Sequence, residues 1–181
     1  FRSGWVNDNS ERESDDDGWK NATYYLGSWE DGAMKTGWQK ITVYDDDDDK
    51  DDDYDYWFNF KSNGKKRAMS DKDNTWKSGG KYYHFNENGV MVYEWYNVAQ
   101  ATGEKASAAT SWKYFRSPED GARVTKGWFK VVAPAKDSDN SFLNYDDSDS
   151  FAYKDASDES ERWYYADKDG ELQAAKIKKI N

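Results

Sequence analysis

Paired aromatic residues followed shortly by Asx-Gly return five times along this 181-residue chain, and a short phrase repeated in this way constrains the architecture more than any single residue does. The copies run from Tyr24-Tyr25-Leu26 to Asp31-Gly32, from Trp57-Phe58-Asn59-Phe60 to Asn63-Gly64, and from Tyr82-Tyr83-His84-Phe85 to Asn88-Gly89. Two more run from Tyr114-Phe115 to Asp120-Gly121 and from Trp163-Tyr164-Tyr165 to Asp169-Gly170. Asn-Gly and Asp-Gly between strand-forming runs signal hairpins, since both residues tolerate the positive φ that a turn between twisted strands requires. The fold class is therefore read as all-β, with hairpins near 19–38, 54–69, 76–95, 112–128 and 151–176 in a single repeat domain over 1–181.

After three of the turn glycines the following strand closes on a Trp. Gly32-Ala33-Met34-Lys35-Thr36-Gly37-Trp38 and Gly121-Ala122-Arg123-Val124-Thr125-Lys126-Gly127-Trp128 are the clear cases, and Gly89-Val90-Met91-Val92-Tyr93-Glu94-Trp95 is a variant. The two clear copies set a longer period of 89 residues from Gly32 to Gly121. Ser3-Gly4-Trp5 reads as the end of another copy and Lys178-Lys179-Ile180-Asn181 as the lead-in to a next one, so the chain is expected to be a fragment of a longer protein.

Composition decides whether such repeats can order. Leu, Ile, Val and Phe together number only 22 and the formal charge is -10, a balance that by itself signals disorder. Ten Trp and fourteen Tyr reverse that reading, because each buried aromatic removes about 150–250 Å² from water. An ordered but thin core follows. The absence of Cys excludes disulfides, Cys-based zinc sites and Cys nucleophiles, and leaves any His-dependent triad to His84 alone. The acidic balance argues against nucleic-acid binding, which runs on Lys and Arg, and against a basic membrane-surface helix. No apolar run approaches the length of a membrane span, so no membrane insertion is expected.

The phrase resembles the cell-wall-binding, or choline-binding, repeats of Gram-positive surface proteins, which run Gly-Trp, Lys, an apolar residue, Gly-Lys, an aromatic pair, a polar turn with Gly, and a Met-containing strand. Trp76-Lys77-Ser78-Gly79-Gly80-Lys81-Tyr82-Tyr83-His84-Phe85-Asn86-Glu87-Asn88-Gly89-Val90-Met91 is the clearest single copy. The resemblance implies a β-solenoid-like stack of hairpin repeats, without catalysis or cofactor, held outside the cell at the surface or wall. Its implied partners are choline-bearing teichoic acid, glucan or another envelope polysaccharide, and in relatives a host glycan or protein. It also implies ligand cages walled by rings: Trp38, Trp57 and Tyr83 in one; Trp95, Met91 and Tyr114 in another; Trp128 and Trp163 in a third; and Trp5 with Tyr25 at a cap. A quaternary ammonium has no N–H to donate, so converging π faces suit it.

The chain departs from the family where Trp38 to Trp57 spans 19 positions, Trp95 to Trp112 spans 17 and Trp128 to Trp163 spans 35. These stretches, Asp-rich at 45–55 and 137–161, are read as long acidic loop insertions, as is the polar segment 7–17. Each feature also has a plainer reading. The rings serve equally as the core of the stack, and a single exposed ring with polar neighbours would serve a pyranose instead of choline. The run from Asp45 to Asp53 and the cluster Asp146-Asp147-Ser148-Asp149 have the carboxylates for calcium but lack an EF-hand's alternation, so solvated charge is preferred and no metal is assigned. His84 is read as a strand residue, and none of the 36 acidic residues is singled out for glycoside hydrolysis. The functional alternatives are a structural spacer or protein-interaction region and, least favoured, an enzyme.

Overall fold

The computed structural model describes residues 4–27, 32–46, 51–69, 75–97, 112–133 and 161–173. Ten strands pair as five two-stranded antiparallel sheets, with a single 3₁₀ turn at Gly18–Lys20 among the described residues. The chain divides into two compact units, Phe1–Ser70 with His84–Met91, and Asp71–Tyr83 with Val92–Asn181.

In the first unit β1 (Trp5–Val6) pairs with β2 (Tyr24–Tyr25), and β3 (Gly37–Asp45) pairs with β4 (Asp52–Phe60). The second ladder runs through nine pairs, from Gly37 opposite Phe60 to Asp45 opposite Asp52. This differs from the loop expected after Trp38. The described part of the Asp-rich stretch is mostly strand because Ile41, Val43, Tyr56 and Phe58 alternate inward, while its aspartates, the buried Asp45 among them, find hydroxyls. Thr42 donates to Asp55 and Tyr44 to Asp51, and the buried Tyr56 hydroxyl donates to Asp45 at 2.6 Å. Trp19 closes the end of the ladder, its indole N–H donating to the Tyr44 carbonyl at 2.7 Å.

In the second unit β5 (Trp76–Ser78) pairs with β6 (Lys81–Tyr83), β7 (Trp95–Asn97) with β8 (Trp112–Tyr114), and β9 (Gly127–Val132) with β10 (Glu161–Ala166). The extended pairing thus joins each Trp-bearing strand to the aromatic strand that follows it. Three of the Asx-Gly turns close single bridges, Phe60 with Lys66, Phe85 with Met91 and Ala166 with Leu172.

Those turns also differ in type from the expected pair of positive-φ residues. Gly64, Gly89 and Gly170 have φ of 84°, 88° and 84°, but the Asx before each stays at negative φ. The carbonyl of Asn86 accepts from Gly89 N and its side-chain oxygen accepts from the backbone of Asn88 and Val90, each at 2.9–3.0 Å. This is a type I turn closed by a left-handed residue, and the working Asx lies three positions before the glycine. Asp167 does the same for Gly170, and Asn7 does it for Ser10, which takes φ of 62° without being glycine. The segment 7–17, read as a loop, therefore opens with a further copy of the turn that lacks the glycine signal.

Successive turns are tied by single backbone hydrogen bonds from the second residue after the glycine: Lys66 N to Thr23 O and Met91 N to Trp57 O in the first unit, and Arg123 N to Tyr82 O in the second. The side chains of Lys66 and Arg123 each lie under a later turn glycine. A Cβ on Gly89 would stand 2.6 Å from Lys66 Cδ, and one on Gly170 would stand 2.9 Å from Arg123. At the first Trp corner Gly4 N donates to Gly27 O and Leu26 N to Gly4 O, with Gly4 and Gly27 at φ of 78° and 72°; at the Trp95 corner Glu94 N donates to Arg116 O and Phe115 N to Glu94 O, with Glu94 and Arg116 at φ of 57° and 63°.

Left-handed φ costs a non-glycine residue about 1–2 kcal/mol, so Glu94→Gly and Arg116→Gly are each expected to stabilise by about 1 kcal/mol, read as a raised midpoint in urea. Gly89→Ala is expected to lose more than that left-handed penalty alone, and part of the excess returns when Lys66 is shortened to Ala in the same chain.

Candidate functional site

Strand alternation sends one set of rings inward and the other out. On β3 and β4, Trp38 stands opposite Asn59 and Trp57 opposite Lys40, which puts both indoles on one face. Their centroids are 6.3 Å apart at an interplanar angle of 85°, two half-buried walls of a corner. The buried Phe85 ring lies 5.7 Å from Trp38. Tyr83, the third wall expected here, belongs to the other unit and there faces Trp76 at 5.7 Å.

The same geometry returns on β9 and β10. Trp128 stands opposite Tyr165 and Trp163 opposite Lys130, so all four share one face while Phe129, Val131 and Tyr164 share the other. Trp128 and Tyr165 are 42% and 36% exposed and meet at 5.2 Å and 67°, and Trp163 beside them is 63% exposed. The repeat pattern singles out Trp128 and Trp163 but not Tyr165. A signal for Tyr165 is nonetheless present, since the residue two positions after Trp163 on a strand must share its face.

The remaining ring sets centre on a buried Trp95 and a half-buried Trp5. Trp95 is 3% exposed, its indole N–H donates to the Val132 carbonyl at 2.6 Å, and its faces meet Tyr164 at 4.9 Å, Tyr114 at 5.1 Å and Phe129 at 6.0 Å. Burial raises the hydroxyl pKa of both Tyr114 and Tyr164. Met91, assigned by sequence beside Trp95, is buried in the other unit. Trp5 meets Tyr25 at 4.8 Å, Phe58 at 5.1 Å and Phe60 at 6.0 Å, and the Lys66 ammonium lies 5.4 Å from its ring centroid. Arg123 holds the matching place in the other unit, its guanidinium carbon 4.3 Å from the Tyr82 centroid.

No group of three or more metal-ligating side chains occurs among the described residues. Of the first acidic run, residues 47–50 lie outside those described, Asp46 pairs with Lys20 at 2.6 Å, and Asp51 holds the Tyr44 hydroxyl, which that hydrogen bond pushes up to about 12. The Lys20 hydrogen bond lowers the Asp46 carboxyl in turn. The cluster at 146–149 also lies outside the described residues. His84 is buried on the strand side of its turn. No helix among the described residues is long and apolar enough to cross a membrane.

Against known proteins, no family model and no curated sequence matches. Solved structures do. CbpJ from Streptococcus pneumoniae TIGR4 and choline binding protein F from Streptococcus pneumoniae each share 26% identity over 94% of this chain, with TM-scores of 0.41 and 0.42. The choline binding domain of Spr1274, from the same species, shares 20% over 52% of this chain, with a TM-score of 0.32. The chain resembles choline-binding proteins. It spans 42% of the length of each of the first two and 98% of that of the third matched chain.

Burial pushes the Lys66 ammonium down from 10.5 to about 7. Between those values the unfolded chain binds the proton and the folded chain does not, so stability rises as pH climbs through the window and is flat below it. Urea midpoints are expected to increase from about pH 7 toward pH 10, before the tyrosines titrate, and Lys66→Met is expected to lose that slope.

Proposed function

We propose that the chain is a non-catalytic module of β-hairpins stacked as a solenoid, which attaches a surface protein to a choline-bearing envelope polymer outside the cell. The observation that carries this reading is a crossed ring pair on one face of each of two ladders, Trp38 with Trp57 diagonally across β3 and β4 and Trp128 with the directly opposite Tyr165 on β9 and β10. A trimethylammonium group carries its charge on methyl surfaces and offers no N–H, so crossed π faces are its natural partner, at about 0.5–2 kcal/mol per ring. Each corner is weak alone. A polymer that repeats its choline groups engages several corners at once, and the gain comes from effective concentration.

Trp163 favours a saccharide as a second ligand. It is the most exposed of the large rings among the described residues, at 63%, and stands across from Lys130, which suits stacking of a pyranose with a polar group beside it. A third reading, a spacer or protein-interaction region without a small ligand, predicts that ring substitutions change stability alone.

Titration with choline, followed calorimetrically and by tryptophan emission, is expected to show weak binding that Trp38→Ala and Trp128→Ala each reduce by about 2- to 30-fold at their own corner. Linear glucan is expected to respond to Trp163→Ala and not to Trp38→Ala. A folded sample that gives no response to choline removes the leading reading, and silence toward both ligands leaves the spacer.

A further inference from the structure

Lys66 is placed where the family resemblance puts Met, two residues after a turn glycine. Its surroundings are those of a recognised cation. The ammonium donates to the Trp19 carbonyl at 2.8 Å and to the Lys20 carbonyl at 3.3 Å, and lies 5.4 Å from the centroid of Trp5. The side chain of Lys20 is committed elsewhere, to Asp46 at 2.6 Å. The Lys66 stem runs against the turn at Gly89, and its own N–H is bonded to the Thr23 carbonyl at 2.7 Å, so the chain is anchored at both ends of its reach.

We infer that the Trp5 face with the Trp19 and Lys20 carbonyls is a site for a primary alkylammonium, which the chain fills with its own Lys66. The two carbonyls require N–H donors and the ring takes the remaining positive charge. Choline, with none, does not fit this site, and external choline is left to the corners at Trp38–Trp57 and Trp128–Tyr165. Only that last clause rests on the proposed function. The self-filled site stands on the geometry around Lys66 alone; burial works against the charge and lowers its pKa to about 7, so the carbonyls and the ring offset only part of the desolvation cost.

Truncation to Ala removes three carbons and the ammonium, which is the shape of n-propylammonium. At pH 6, where the site holds the charged form, Lys66→Ala is expected to melt below the wild type, and n-propylammonium chloride is expected to raise its Tm by about 3 °C over sodium chloride of equal ionic strength. The wild type, and Lys66→Met, which keeps the stem and fills the space, are expected not to respond. If Lys66→Ala does not fold alone, its refolding yield with and without n-propylammonium, read by circular dichroism, gives the same comparison. An equal response in all three proteins, no response in Lys66→Ala, or a larger gain for that variant from choline than from n-propylammonium overturns the assignment. Choline binding by wild type and Lys66→Met is expected to be equal; its absence from both would sink the proposed function and leave the n-propylammonium result standing.

Discussion

Contact between aromatic rings of different hairpins is what the rest of this structure depends on. A two-stranded sheet has no interior, and an isolated one is marginal in water. Here the interior is made by rings from neighbouring ladders. In the first unit Phe58, fully buried, receives Trp5 edge-on at 5.1 Å and Trp19 at 6.0 Å. In the second, Trp95, Tyr114, Phe129 and Tyr164 form a cluster whose centroids lie 4.9–6.0 Å apart, with Trp112 and Leu172 closing it. Tilted and edge contacts of this kind add about 0.5–1.5 kcal/mol beyond burial, which lets a chain with few aliphatics hold a core. The same chemistry on the opposite strand face leaves rings exposed, and those rings are the candidate site.

Parity along a strand is therefore the step from fold to function, and it was legible where only one face is buried. Trp128-Phe129-Lys130-Val131 alternates visibly, so the outward place of Trp128 follows from the sequence, and Tyr165 follows from Trp163 by the same rule. It was illegible at Trp95-Tyr96, where both neighbours are buried and alternation carries no information. The positions of the turns were legible from glycine. The pairing of β3 with β4 and of β9 with β10 was not, because the partners are separated by stretches whose Asp content argues against strand. What overrides that preference is local: Thr42, Tyr44 and Tyr56 each give a hydroxyl to an aspartate, which turns an apparent loop into a ladder.

Glycine signals had a second blind spot. Ser10, Glu94, Arg116 and Lys126 all adopt φ between 57° and 63°, doing at corners what glycine does at Gly4, Gly27 and Gly37. A reader of glycines finds the turns at 64, 89 and 170 and misses the turn at Asn7 to Ser10. The Asx oxygen that accepts two backbone N–H groups holds that turn in place, and it compensates for the left-handed serine.

The residue two places after each turn glycine shows how such a repeat diversifies. Met34, Lys66 and Arg123 all lie where a Cβ on Gly64, Gly89 or Gly170 would collide with them, so where the position lies under a later turn glycine it holds a long unbranched stem. Met, Lys and Arg supply that stem equally, and they differ only at the tip. A thioether tip leaves the neighbouring ring face neutral, whereas the Lys66 and Arg123 tips bring a positive charge over Trp5 and Tyr82. Exchange among the three preserves the stem that packs on the turn while changing what the adjacent ring meets, because the backbone bond that ties one turn to the preceding strand comes from the N–H and not from the side chain. Scaffold and recognition are in this way separated within one residue: the stem belongs to the fold, and the tip selects the chemistry that the ring accepts.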